Sequence, residues 1–261
     1  SARAHDIRDF PSAAHAPSRP GAAADTVGPV PSPAAASPKS REHAPGVLLA
    51  GATGLVGREL LQLLLTQSPR AELHALVRRR PDGADARVHW RVVDFARLPA
   101  LPAAQQAWCC LGTTIKQAGS QAAFRAVDFD AVLGFARAAK AAGVQCFGVV
   151  SALGASPRAA TFYSRVKGEM EAAVGALGFE HVVIARPSLL AGDRAALGQP
   201  PRSGEWLALR LTGPLAALLP RAVRPIEART VARGMLAAMR QRQPGVRFVE
   251  SRELQSLGSE H

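Results

Sequence analysis

Val47-Leu48-Leu49-Ala50-Gly51-Ala52-Thr53-Gly54-Leu55-Val56-Gly57 is the stretch whose reading decides the fold. Its first four residues form a short apolar run, as a buried strand does. Behind it, Arg58-Glu59-Leu60-Leu61-Gln62-Leu63-Leu64-Leu65 repeats its apolar positions at helical spacing. Glycines at 51, 54 and 57 then do three jobs: a tight strand-to-helix turn, backbone close enough to touch a phosphate, and close packing of helix on strand. The helix start adds free N–H groups and the positive end of the helix dipole, so the unit is built to receive a pyrophosphate.

Working outward, strand and helix patterns keep alternating. Glu72-Leu73-His74-Ala75-Leu76-Val77 reads as a second strand and ends in Arg78-Arg79-Arg80; Arg91-Val92-Val93-Asp94-Phe95 reads as a third and Ala107-Trp108-Cys109-Cys110-Leu111 as a fourth. A helix is expected from about Gln121 to Ala142, stopped by Gly143, then a strand Cys146–Val150, a helix Thr161–Leu177 and a strand His181–Ala185. Ile226–Arg240 reads as a last amphipathic helix and Val246–Val249 as a closing strand. This alternation predicts a doubly wound parallel sheet, an α/β fold of the Rossmann type, with ligands at the carboxyl ends of the strands.

Those ends carry the chemistry-bearing residues. Arg78 closes the second strand, where an acidic residue would accept from a ribose 2′-hydroxyl and arginine would pair with a 2′-phosphate, so NADP(H) is preferred and NAD(H) is the second choice. Ser151 ends the fifth strand and Arg186-Pro187-Ser188 the sixth. Between them stand Tyr163, the chain's single tyrosine, and Lys167, one of its four lysines, one helical turn apart on one face. A phenol beside an ammonium is a usable proton donor and acceptor. Phe162, Val166, Met170, Val174 and Leu177 make the packing stripe of that helix and leave the pair on the neighbouring flank.

The Gly-x-x-Gly-x-x-Gly turn, the serine after the fifth strand, Tyr-x-x-x-Lys and the following Arg-Pro-Ser resemble the extended and atypical short-chain dehydrogenase/reductases. Cys110-Leu111-Gly112-Thr113-Thr114, Val127-Asp128, Tyr163 to Glu169, Arg186-Pro187 and Gly204-Glu205-Trp206 are similar to the Tat-interacting-protein-like oxidoreductases within that group, over roughly Val47 to Met239. The resemblance implies that Gly51, Thr53, Gly54, Leu55, Val56 and Gly57 hold the pyrophosphate, Arg78 the 2′-phosphate and Asp94 the adenine. Leu111 and Gly112 would line the adenosine side, and Pro187 and Ser188 the nicotinamide. Tyr163 would donate the proton, Ser151 hold the substrate oxygen, and Lys167 bind the nicotinamide ribose and assist the tyrosine. Two positions depart from the wider pattern: Asp128 where many members place asparagine in a proton relay, and Glu227 where extended members have aspartate.

Residues 1–45 stand apart from the domain expected over 46–261. Of the first 46 positions 29 are Ala, Pro, Ser or Gly, eight of them proline, so this tail cannot bury a core and is expected to be disordered. It has no apolar segment of the secretory kind. The formal net charge is +12, with 32 basic residues of which 28 are arginine, spread along the chain without a lysine-rich run; anionic ligands are favoured and specific nucleic-acid readout is not expected. Cys109, Cys110 and Cys146 give neither a disulfide framework nor metal spacing, which suits the cytoplasm. Residues 189–205 read as a long substrate-side loop. Trp206 to Leu219 reads as a pocket helix or dimer surface ahead of a weak membrane-surface contact, being too short to span, and the chain is expected as a monomer or homodimer.

Two functional classes follow. One is an NAD(P)(H)-dependent oxidoreductase moving hydride to or from a small carbonyl or alcohol, with no metal. The other is a non-catalytic NADPH-binding regulator or assembly protein. Sugar-nucleotide epimerase chemistry uses the same residues, but normally needs a larger substrate domain than the 73 positions after Ser188 (261 minus 188).

Overall fold

The computed structural model describes residues 46–191 and 224–259. The expectations for the tail 1–45, for the loop beyond residue 191 and for Trp206 to Leu219 fall outside these residues. Seven parallel strands form one sheet in the order β3-β2-β1-β4-β5-β6-β9, namely Val88–Val92, Glu72–Val77, Gly46–Ala50, Gln106–Cys109, Cys146–Val150, His181–Arg186 and Gly245–Glu250. A two-residue pair, β7 (Leu190–Ala191) with β8 (Ile226–Glu227), stands beside it. The order reverses between β1 and β4, and that switch point is where an open α/β sheet forms its crevice.

Successive side chains of a strand point to opposite faces. Val47 and Leu49 therefore pack with Leu60 and Leu64 of α1 (Leu55–Gln67) and with Val231 and Met235 of α6 (Ala228–Arg240). Leu48 and Ala50 face the other way, against Phe135 of α4 (Val132–Ala141) and Met170 and Val174 of α5 (Phe162–Gly175). Both faces are covered, which is why the strands read as continuous apolar runs. Gly148 lets the central strands close up: a Cβ there would stand 2.3 Å from the Trp108 ring.

Four expectations need correction. The third strand is Val88–Val92 and not Arg91–Phe95. Val88 faces the core and the Trp90 indole donates to the Asp85 carbonyl, so the apolar register is set three residues earlier, and Asp94 and Phe95 lie beyond the strand end. The helix expected over Gln121–Ala142 is three consecutive pieces: α3 (Gln121–Arg125), a π-helical segment at Ala126–Ala131, and α4. Val246–Val249 lies within a strand as expected, but a further helix, α7 (Ser251–Ser259), follows and packs on α6, with Gly258 against Thr230 and Gly234 against Leu254. A short α2 (Ile115–Ala118), capped by the Thr114 hydroxyl accepting from Gln117 N–H, was likewise not expected.

Candidate active site

The glycine turn owes its shape to close backbone approach. Gly51 adopts φ +83°, and a Cβ there would stand 2.5 Å from the Cys110 carbonyl carbon; a Cβ on Gly57 would stand 2.1 Å from the Gly51 oxygen. Gly54 N–H donates to the Gly51 carbonyl at 3.0 Å and closes the turn. As residue before α1, Gly54 offers no side-chain cap, and the first turn of α1 contains no acidic residue. The first N–H groups of the helix are left for a ligand, which the dipole prefers to be anionic.

The turn opens into a cavity of about 650 Å³ at the carboxyl ends of the strands. Of the residues expected there, Gly51, Thr53, Gly54, Leu55, Val56, Arg78, Leu111, Gly112, Ser151, Tyr163, Lys167, Pro187 and Ser188 all line it. Gly57 lies behind the wall, where it sets the helix position. Asp94 does not line the cavity: it is exposed, and one carboxylate oxygen accepts from Ala96 N–H at 2.9 Å. Its neighbour Phe95 lines the wall instead, and nothing in the alternating pattern distinguished the two. Thr113, Gln117, Val127 and Asp128 also line the cavity, from the segments that begin after β4.

Ser151 follows β5 directly. It is 5% exposed, and its hydroxyl has no hydrogen-bond partner among the described residues. A buried hydroxyl in that state costs about 1–3 kcal/mol unless a bound molecule completes it. Its position is fixed from both sides: Ser151 N–H donates to the Ala185 carbonyl at 2.7 Å, and Leu153 N–H to Pro187 at 2.9 Å. Gly168 brings the same loop onto α5, since a Cβ there would stand 2.1 Å from the Ser156 carbonyl carbon.

Thr161 caps α5, its hydroxyl accepting from Ser164 N–H, so Tyr163 sits in the first turn at the cavity wall. Its ring lies 5.4 Å from the Phe124 ring, centroid to centroid. One turn on, Lys167 is 3% exposed, with Nζ 2.7 Å from Oδ1 of Asp128. Burial opposes the ammonium, but Asp128, Tyr163 and Cys109 around it prevail and hold its pKa above the ordinary lysine value. Ser188 is committed differently: its hydroxyl donates to the Arg224 carbonyl at 2.5 Å and accepts from the Ser251 hydroxyl at 2.9 Å.

Arg186 makes a second polar anchor near the site. Its Nε and Nη2 donate to the two oxygens of Glu171 at 3.0 and 2.6 Å, and Nη1 donates to Glu250 at 2.9 Å. The fork ties α5 to β6 and β9. Burial favours the thiol form of both Cys109 and Cys110: it pushes the Cys109 thiol up to about 12 and raises Cys110 as well. Among the described residues, no group of three or more His, Cys, Asp or Glu side chains could hold a metal ion, and no helix is long and apolar enough to cross a membrane.

The cavity thus fits a dinucleotide: a glycine cradle that a Cβ would fill, an uncapped helix start, an orphaned hydroxyl at the far wall, and Arg78 on the rim. The sequence model of the family described as NAD(P)H-binding matches residues 51–199. The chain belongs to that family. It is 38% identical over 176 residues to Protein HTATIP2 of Rattus norvegicus, covering 65% of this chain and 71% of that protein. To Protein FMP52, mitochondrial, of Debaryomyces hansenii it is 34% identical over 149 residues, covering 55% and 66%. These relatives stand on the Tat-interacting-protein-like branch that the motifs indicate.

Among solved structures, the chain resembles MoeE5 in complex with UDP-glucose and NAD, with a TM-score of 0.60, 17% identity, and 82% and 81% of the two chains covered. It also resembles the ADP-L-glycero-D-manno-heptose-6-epimerase of Helicobacter pylori, with a TM-score of 0.59, 16% identity, and 84% and 83% covered. At such identity the likeness is one of fold.

Proposed function

We propose that this protein is an NADP(H)-preferring oxidoreductase that moves hydride between the nicotinamide and a small carbonyl or alcohol, with Tyr163 as acid/base. The observation that carries the reading is the Ser151 hydroxyl, buried, without a hydrogen-bond partner among the described residues, and lining the same cavity as Tyr163 and Lys167. Within that reading, Gly51, Thr53, Gly54, Leu55 and Val56 hold the pyrophosphate, and Arg78 pairs with the 2′-phosphate. Leu111, Gly112 and Phe95 border the adenosine, with Phe95 taking the place first given to Asp94. Pro187 and Ser188 border the nicotinamide.

A bound nicotinamide supplies or accepts the hydride at the substrate carbon. The chain's residues do the rest. Ser151 Oγ donates to the substrate oxygen and fixes its direction, Tyr163 delivers a proton to that oxygen during reduction and recovers it during oxidation, and Lys167 keeps positive charge beside the phenol. Holding the reactants together in a shielded cleft contributes through orientation.

The test is NADPH oxidation over a panel of small aldehydes and ketones, run beside a direct measurement of NADPH binding. Turnover supports the oxidoreductase. Binding without turnover across the panel supports the regulator or assembly protein instead. A cytoplasmic location and a monomeric or homodimeric state belong to the same proposal. The FMP52 relatives are named as mitochondrial, so cell fractionation and sedimentation check these two points.

A further inference from the structure

The cavity has two ends of different chemistry. Arg78 and Phe95 mark the adenosine end, and Ser151 and Tyr163 the other. The Tyr163 ring packs on Phe124 of α3, whose neighbour Ala123 lines the cavity. Two more lining residues, Gln117 and Ala118, come from the short helix α2 just ahead of α3. Gly119, at φ +84°, ends α2, and the Ser120 hydroxyl, accepting from Ala123 N–H at 3.0 Å, starts α3 at once. On the other side of α2, Thr113 N–H donates to Asp128 Oδ2 at 2.8 Å, and Asp128 pairs with Lys167, one turn from Tyr163. Held from both sides in this way, α2 presents Gln117 at the Tyr163 end of the cavity.

The Gln117 carboxamide is oriented by its own segment. Its backbone N–H donates to the Thr114 hydroxyl at 3.0 Å, and its Oε1 accepts from the Thr113 hydroxyl at 3.4 Å. A glutamine amide also carries two N–H donors. Neither has a partner among the described residues. The Ser188 hydroxyl is committed to Arg224, and that of Thr113 to Gln117 itself. Ser151 and Tyr163 serve the reacting oxygen, so the carboxamide is the remaining uncharged side-chain donor on this side among the described residues. The charged residues that line the cavity are Arg78 at the far end and the paired Asp128 and Lys167. An anionic substrate therefore finds no free cation at the Tyr163 end among the described residues, whereas an amide N–H suits a neutral acceptor oxygen.

We propose that Gln117 is a specificity-determining residue that donates to a second oxygen of the substrate, and that the substrate class is an uncharged carbonyl compound, or the matching alcohol, carrying that second oxygen beside the reacting one. The inference rests on the functional reading above, in which Ser151 and Tyr163 take the reacting oxygen. Gln117 is exposed, so its hydrogen bond replaces one to water, and discrimination by about three- to tenfold is expected of it.

The experiment reads binding and turnover separately on the full chain. Ketones are titrated into the protein with NADP⁺ bound, a dead-end complex because the oxidised nicotinamide has no hydride to give. Two probe pairs are used: 1-methoxypropan-2-one against pentan-2-one, and 4-methoxybutan-2-one against hexan-2-one. Within each pair the chain length and the single carbonyl stay the same, and one methylene becomes an ether oxygen, which accepts and cannot donate. Pyruvate is the anionic probe.

In at least one pair, Gln117→Leu should shift the ratio of dissociation constants against the ether ketone by about three- to tenfold relative to wild type. Gln117→Glu keeps the size and the acceptor for Thr113 but loses the N–H donors, so it should shift the ratio the same way. Melting temperatures should match wild type, since the side chain is exposed; a structural role would lower them and leave the ratio alone. Pyruvate should bind wild type no more tightly than pentan-2-one, and Gln117→Lys, which brings an ammonium to that end, should reverse their order. A ratio unmoved by Gln117→Leu or by Gln117→Glu, pyruvate as the tightest of the five probes in wild type, or no binding of any of them would each overturn the proposal. NADPH oxidation with the same ketones decides the oxidoreductase reading by itself. Gln117-dependent binding without turnover would sink that reading and keep this one, and turnover with ratios indifferent to Gln117 would do the reverse.

Discussion

Replacing Gly57 and Gly54 by alanine, one at a time, separates the two duties of the turn. At Gly57 the new Cβ would stand 2.1 Å from the Gly51 oxygen. Carbon and oxygen need about 3.3 Å, so backbone must move by about 1.2 Å, the difference of the two. The clash is with main chain on both sides, which puts the cost near the upper end for overpacking, about 3 kcal/mol, less about 1 kcal/mol regained because alanine favours the helix over glycine. A net loss of about 2 kcal/mol lowers the melting temperature by about 4–8 °C in a domain of this size. Gly54 is different: at φ −82° and ψ 172° alanine is unstrained, and its nearest contact would be 3.4 Å. The melting temperature should stay within about 2 °C, while a methyl on the cradle wall should weaken NADPH by tenfold or more, about 1.4 kcal/mol. Scanning calorimetry and titration calorimetry on the two variants read both quantities. Equal melting temperatures together with undiminished NADPH affinity at Gly54→Ala would refute the reasoning.

Arg78 is exposed on the cavity rim and makes no ion pair among the described residues, so Arg78→Ala should cost NADPH about 1.5 kcal/mol and leave NADH unchanged in competition titration. Arg186→Met strands the carboxylate of Glu171, itself 3% exposed, and should destabilise by about 3 kcal/mol in urea, whereas Glu250→Gln, at a side chain that is itself 48% exposed, should cost under about 1 kcal/mol. His74 is buried, and desolvation ahead of the Arg91 charge lowers its pKa below the ordinary 6.5. The unfolded chain therefore binds a proton first as pH falls, and the stability this residue allows above about pH 6.5 is lost on the way down through the folded-state value. His74→Gln should flatten the urea midpoint between about pH 7 and 5 relative to wild type.

The glycine turn, the strand ends and the Tyr163–Lys167 spacing were legible because each is written in local sequence: a φ that only glycine takes easily, an apolar run, a period of four. The parallel order and the crevice follow from that alternation. Asp94 and Phe95 were misplaced because Val88 to Val93 offers two apolar registers, and the pairing of β3 with β2, Leu73 opposite Val88 through Val77 opposite Val92, is a tertiary feature that chooses between them. The π-helical segment was invisible, since Ala126–Ala131 keeps the composition of an ordinary helix and takes its extra residue only where Asp128 meets a lysine 39 positions away (167 minus 128). Residue 128 could be singled out as a departure from the family pattern, but its ion pair needed the fold. The Ser188 hydroxyl engagement with Arg224 and Ser251 is likewise a meeting of distant segments that no motif announces.

The central claim, that Tyr163 delivers the proton in a hydride transfer, is tested most directly by single-turnover transfer of deuterium from 4-deuterated NADPH to a carbonyl acceptor, in wild type and in Tyr163→Phe. Phenylalanine keeps the ring against Phe124 and removes one hydroxyl. The account predicts deuterium at the carbinol carbon with the wild type, a rate lower by 10² to 10⁴ with Tyr163→Phe, and NADPH affinity within about twofold between the two proteins. Transfer at an undiminished rate by Tyr163→Phe, with cofactor bound as tightly, would contradict it.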